Sequence, residues 1–175
     1  INWGRLVPQI VYYFSGYADM IKSGDISFGE PINVVVPTGN FGNILAGYYA
    51  KSMGLPIKRL ICASNENNVL TDFINTGIYD RNRPFMKTIS PSMDILISSN
   101  LERLIYDLTG RDAEKVRMWM RQLGETGRYE VDGETKHRLG EIFWSDSADD
   151  VETLDAIHAT YRDYGYAMDT HTAVG

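Results

Sequence analysis

The stretch Thr38-Gly39-Asn40-Phe41-Gly42-Asn43 holds the residue types in this sequence best placed to do chemistry. Glycine and amide residues let several backbone N–H groups turn toward one point, and at the start of a helix the backbone dipole favours negative charge there. The chemistry this suggests is capture of a phosphate or a similar anion. The spacing is not G-x-G-x-x-G and no G-K-[ST] follows, so neither the dinucleotide fingerprint nor the nucleoside-triphosphate loop is matched. A bare G-x-x-G also occurs where a strand must turn into a helix for conformational reasons alone, so both readings stand.

Other candidates are sparser. Asn2 and Arg5 form N-x-x-R ahead of a helix, where a guanidinium can fork onto a phosphate or carboxylate. The same pair also reads as an N-cap with a surface ion pair. His137, His158 and His171 lack ligand spacing and Cys62 has no cysteine partner, which argues against a zinc site. There is no G-x-S-x-G elbow. Asp149 and Asp150 are adjacent, and neighbours on a helix do not share a face, so they do not form a catalytic dyad. His171, in the closing run His171-Thr172-Ala173-Val174-Gly175, reads as a packed or capping residue rather than a base.

These residues need elements to position them. Val34, Val35 and Val36 predict a buried strand stopped by Pro37 and Gly39, and Ile44, Leu45, Tyr48 and Tyr49 predict a helix from Asn43 to Gly54. Residues 58–63 predict a second strand. The resulting βαβ unit implies a parallel sheet, with ligands at the strand C-termini, where residues 38–43 lie. Upstream, residues 5–22 read as a helix with Pro8 in or near its first turn. Downstream, the pattern predicts helices at 69–74, 100–109, 111–123 and 135–139. Residues 78–93 read as loop, 124–133 as a surface connection and 141–144 as extended, with 94–98 left between strand and helix entry. Asp149 or Ser147 should cap an acidic helix over 149–164 that turns Val151, Leu154, Ile157 and Tyr161 inward.

The chain has 175 residues, 43% of them hydrophobic, enough for the core of one domain spanning 1–175. Its formal charge of −6 is concentrated in residues 146–175, where seven acidic side chains face only Arg162. That balance speaks against a nucleic-acid surface. No run approaches a membrane span, and no basic stretch followed by an apolar one opens the chain. A single cysteine, Cys62, excludes an internal disulfide, and a cytoplasmic location is the expectation. Ile1 stands where an initiator Met would, which suggests a piece of a longer polypeptide. Such a piece exposes apolar surface and is expected to self-associate.

The run PTGNFGNILAGYYAKSMGLPIKRLICASNENNVL resembles the phosphate-loop region of threonine synthase, a pyridoxal-phosphate enzyme of fold type II. The resemblance extends from INWGRLVPQIVYYF through SPSMDILISSNLERL to DTHTAVG. It implies a three-layer αβα fold with a mostly parallel sheet, forming part of the larger cofactor domain. The implied parent is a carbon–oxygen lyase that converts O-phosphohomoserine and water to threonine and phosphate. In that scheme Gly39, Asn40, Phe41, Gly42 and Asn43 hold the cofactor phosphate, with Phe41 packing rather than reacting. Thr172 would meet the pyridine nitrogen, and Asn2 with Arg5 the substrate phosphate. The family often has Pro where this chain has Thr170.

One departure is large. The cofactor needs a lysine amine as its Schiff-base partner. None of the six lysines, Lys22, Lys51, Lys58, Lys87, Lys115 and Lys136, stands in an S-F-K-D-like context, and Lys51 is expected to face solvent. The amine is therefore expected before Ile1. The chain is then catalytically incomplete, and pyridoxal phosphate is expected in the parent rather than in the piece. A related dehydratase or cysteine synthase shares the G-N-x-G-N cradle and is the first alternative. A non-catalytic phosphate-binding module is the second.

Overall fold

Three β-branched residues in a row favour extended backbone, and around Val34 to Val36 the main sheet is built. The computed structural model describes residues 2–175. In chain order the elements are α1 (Trp3–Ser23), β1 (Ile32–Pro37), α2 (Gly42–Ser52), β2 (Ile57–Ser64), α3 (Val69–Thr76) and β3 (Ile78–Asp80). They continue with α4 (Leu101–Leu108), α5 (Ala113–Thr126), β4 (Arg128–Glu130), α6 (Gly133–Ile142), β5 (Phe143–Ser147), α7 (Asp150–Tyr164) and α8 (Thr170–Val174). A 3-10 turn occupies Pro91–Met93.

The sheet order is β1-β2-β5 and both pairings are parallel, with Val36 opposite Cys62 and Cys62 opposite Ser145. An α/β fold with a parallel sheet is thus present. Because both crossovers step the same way across the sheet, the right-handed rule places their helices on one face. Burial agrees. Val36, Leu60, Cys62 and Phe143 lie in one core with Ile44, Leu45, Phe73, Leu104 and Leu139, and Val34 packs against it. Each such side chain contributes on the order of 1.5–3 kcal/mol when fully buried. The alternate residues face the other way. There Ala63, Met93 and Val174 form a small second cluster, while Val35 and Trp144 stay exposed.

Several local expectations need correction. Residues 78–93 and 124–133 are not continuous loop, because β3 and β4 pair antiparallel and Tyr79 stacks on Tyr129 at 5.3 Å. Two strands of three residues leave too short a pattern to see in sequence. Glu141 is helical, since α6 runs on to Ile142 before β5 begins. Pro8 lies a turn deeper than expected, because Asn2 caps α1 and the helix starts at Trp3. Lys51 is half-buried and donates to the Ile57 carbonyl rather than facing solvent. The inward face assigned to α7 is also wrong. Val151, Leu154 and Tyr161 are exposed and Thr153 is the buried residue, because α7 packs chiefly on the five-residue α8. Asp149, not Ser147, caps α7, in a reciprocal capping box with Glu152.

Candidate functional site: an anion loop at the sheet edge

Thr38 leaves β1 with its N–H still on the sheet, donating to the Ala63 carbonyl at 2.9 Å. The next residues turn their carbonyls to one side. Ser98 Oγ donates to the Gly39 carbonyl at 3.0 Å, and the buried Asn100 side-chain amide donates to the Asn40 carbonyl at 2.6 Å. Ser98 and Asn100 are themselves fixed from below, since Tyr79 Oη accepts the Ser98 N–H at 2.8 Å. Burial pushes the Tyr79 phenol up to about 12, so it stays a neutral hydroxyl.

Phe41 adopts left-handed backbone, φ 61°, an uncommon conformation for a side chain of this size. Its ring is buried and packs at 5.7 Å from Phe143, which offsets that cost. A left-handed residue directly before a helix aims successive N–H groups into one concavity. Phe41 is also the N-cap of α2, so the first-turn amides of Gly42, Asn43 and Ile44 have no intrahelical acceptor. Among the described residues, none of the N–H groups from Gly39 to Ile44 donates to a protein acceptor. Six donors thus stand at the C-terminal edge of a parallel strand and the N-terminal end of α2. With the carbonyls tied off behind them, they can receive an anion.

Gly39 shows why the loop tolerates no side chain there. A Cβ at this position would lie 2.8 Å from the Ser92 carbonyl oxygen and 3.2 Å from Met93 Cα. Both are backbone atoms. The 3-10 turn at Pro91–Met93 therefore forms one wall of the loop. That turn is held by a buried polar network. The Asn65 amide donates to Asp94 Oδ1 at 2.8 Å, and the Asn67 amide donates to the same oxygen at 3.0 Å. The Thr88 N–H donates to Asp94 Oδ2 at 3.0 Å.

The wall also reaches the predicted C-terminal motif. The Ser92 N–H donates to His171 Nε2 at 3.2 Å. Thr172 belongs to the same short helix, but its hydroxyl is exposed and donates to Asp169 Oδ2 at 2.5 Å. Asp169 caps α8, and those donors hold its carboxyl down at about 2. So Gly39 meets the Pro91–Met93 turn from one side and His171 from the other, Thr172 is next to His171 in sequence on α8, and the ring of Phe41 is buried in the core.

Asn2 and Arg5 lie elsewhere. Asn2 Oδ1 accepts the Arg5 N–H at 3.1 Å as the N-cap of α1. The two long helices run against each other so that Trp3 meets Tyr49, with ring centroids 5.4 Å apart, while Tyr13 Oη donates to the Asn43 carbonyl at 2.9 Å. The eleven residues from Asn2 to Tyr13 span about 16 Å of helix. Their helix neighbour Trp3, but neither Asn2 nor Arg5, lines a groove of about 970 Å³ shared with Tyr49, Tyr106 and charges of both signs.

Sequence reasoning missed Tyr13, Ser98, Asn100 and the Asn65–Asp94 network. The signal available was the polar run Ser64-Asn65-Glu66-Asn67-Asn68 at the end of β2, a place where a buried strand has no need of amides. Ser98 and Asn100 carry no such signal, because their role depends on a contact across about sixty residues.

No family model matches the chain. It is 50% identical over 175 residues to threonine synthase-like 1 of Macaca fascicularis, covering 99% of this chain and 24% of that protein. It is 42% identical to threonine synthase of Methylobacillus glycogenes over 182 residues, covering all of this chain and 37% of that enzyme. The crystal structure of pyridoxal-phosphate-bound threonine synthase from Brucella melitensis superposes with a TM-score of 0.94 at 40% identity, covering 100% of this chain and 36% of that one. The chain therefore spans a quarter to little over a third of the length of these relatives. Over its whole length it is homologous to one segment of the threonine synthases and threonine synthase-like proteins, and it shares their fold there.

Proposed function

We propose that the chain is the phosphate-gripping segment of a pyridoxal-phosphate-dependent threonine synthase, a carbon–oxygen lyase acting on O-phosphohomoserine. The observation that carries this reading is the set of unpaired N–H groups from Gly39 to Ile44, in a segment matched by a relative whose crystal structure holds that cofactor. The donor set suits a phosphate monoester. It consists of neutral backbone amides at a helix start, with Gly39 allowing the Ser92 backbone to approach where a Cβ would clash. When bound, the cofactor supplies a ring that withdraws electrons from the substrate carbon.

The residues of this chain contribute binding and placement. Residues 39–43 anchor the phosphate. Thr172, on α8 beside His171, would supply a hydroxyl rather than a carboxylate to the cofactor ring; that hydroxyl donates to Asp169, which leaves its oxygen free to accept. Asn2 and Arg5 take the substrate phosphate at a second site, with the exposed Arg5 guanidinium as the fork. No lysine lies in the loop. Lys51 is tied to Ile57, Lys115 to Asp132 and Lys22 to Asp19, and Lys58 stands at the opposite end of β2. The amine that carries the cofactor is therefore assigned to the remainder of the longer protein, as is turnover itself.

The same reading places the parent in the cytoplasm, with Cys62 buried and its thiol pushed up to about 11 by burial, hence unreactive. Among the described residues no helix is long and apolar enough to cross a membrane. Exposed Val7, Val11 and Tyr12 on α1 and Val151 and Leu154 on α7 support self-association of the isolated chain.

Titration with pyridoxal phosphate tests the reading. Amide resonances of residues 39–44 should move, and borohydride should fix no single lysine. A saturable adduct on one of the six lysines would refute the assignment of the amine elsewhere.

A further inference from the structure

His171 is joined to the anion loop by one backbone contact and one hydrogen bond. The Ser92 N–H donates to His171 Nε2 at 3.2 Å, and the Ser92 carbonyl oxygen is the atom a Cβ on Gly39 would meet at 2.8 Å. An N–H can donate only to an unprotonated ring nitrogen, so this bond requires Nε2 as acceptor, and Nδ1 lies 3.3 Å from Asp169 Oδ1. The helix packed against α8, α7, carries Asp150, Glu152, Asp155, His158, Arg162 and Asp163. Asp169 lies on its own helix. From α7, Asp150 reaches the adjoining segment, accepting the Ile89 N–H at 3.2 Å. Lys87 on that segment is exposed, and β1 brings no charge.

We propose that His171 is a positioning residue for the anion loop, and that protonating its Nε2 weakens anion binding at residues 39–44. Protonation converts the acceptor of the Ser92 N–H into a donor. The bond is lost, and with it the tie that reaches Ser92 itself. The ties on either side of it, from Asn65 to Ser90, from Asn65 and Asn67 to Asp94, and from the Thr170 hydroxyl to the Ile89 carbonyl, remain. The sign follows directly: the acceptor is present at high pH and disappears as pH falls. A plain electrostatic effect has the opposite sign, since an added positive charge near the loop strengthens anion binding at low pH.

The inference rests on the anion reading of the loop, and the test separates the two. Sulfate is the probe, because it remains a dianion throughout. It is titrated into the 175-residue chain at about pH 8 and about pH 5, with amide shifts of residues 39–44 as readout. The dissociation constant is expected to rise about fivefold at the lower pH, as for loss of one hydrogen bond. His171→Gln, whose carbonyl accepts without titrating, should keep the high-pH affinity and lose the pH dependence. Unchanged or tighter sulfate binding at low pH overturns the inference alone, as does His171→Gln following the native curve. Absence of any sulfate shift at 39–44 overturns the anion reading and this inference with it. Should His171→Gln fail to fold, the native pH series and the imidazole nitrogen shifts decide, and a neutral ring protonated on Nε2 contradicts the proposal.

Discussion

The loop at residues 38–43 and the helix α7 are supported to different degrees. Around residues 38–43 the Gly39 and Asn40 carbonyls each have a side-chain donor, the turn at Pro91–Met93 is bonded to His171 and through Asp94 to Asn65 and Asn67, and the aromatic ring of Phe41 is buried. Around α7 the opposite holds. Its capping box is complete, yet Val151, Leu154 and Tyr161 lie in the open. Local rules were met in both regions, and only one found a tertiary partner. A helix can therefore be well specified in sequence while its apolar face stays uncovered, whereas the loop at residues 38–43 has both its local signals and its tertiary contacts.

The sharpest way to break that comparison is to make one substitution in both regions. Leu104→Ala, in the core, should destabilise by about 2–5 kcal/mol in urea unfolding, because it leaves a cavity among Phe73, Leu139 and their neighbours. Leu154→Ala is its counterpart and closes the series. Second in size, Gly39→Ala forces the loop away from Ser92 and Met93 at a cost of about 1–3 kcal/mol, and abolishes phosphate binding measured by calorimetry.

Third, Asp132→Asn tests whether the helix behind the sheet depends on a charged cap. Asp132 caps α6 and pairs with Lys115 at 2.8 Å, and the Lys115 ammonium holds its carboxyl down at about 2. A depressed carboxyl contributes stability above its unfolded value near 3.9 and loses it as pH falls toward 2. Asn caps about as well as Asp, so native and Asp132→Asn chains should differ only by the loss of the partly exposed Lys115 pair, about 0.5 kcal/mol at neutral pH, and converge near pH 2, followed by thermal melting. The smallest effect is expected for Leu154→Ala, within about 0.5 kcal/mol of native. A loss near that of Leu104→Ala would erase the distinction between the two regions.

Much of the sheet and of the loop was legible. Val34 to Val36, Pro37, Gly39 and Gly54 fall where strand, turn and helix begin and end, because each acts through its own backbone preference. Residues 39–43 could be read as a turn from strand into helix for the same reason. The β3–β4 pair was not legible, since its support is the Tyr79–Tyr129 stack between residues fifty apart in sequence. The face of α7 was misread because periodicity shows which side chains align, not whether anything covers them. The walls of the site, Ser92, Ser98, Asn100 and His171, depend on contacts across the chain and leave no local trace.

The central claim is that backbone amides of residues 39–44 converge on one dianion. A crystal structure of the chain grown with inorganic phosphate tests it most directly. The account predicts a phosphate with its oxygens within hydrogen-bond distance of several of these N–H groups, beside Gly39 and at the start of α2. Those amides bonded instead to protein carbonyls, with no anion among them, would contradict it.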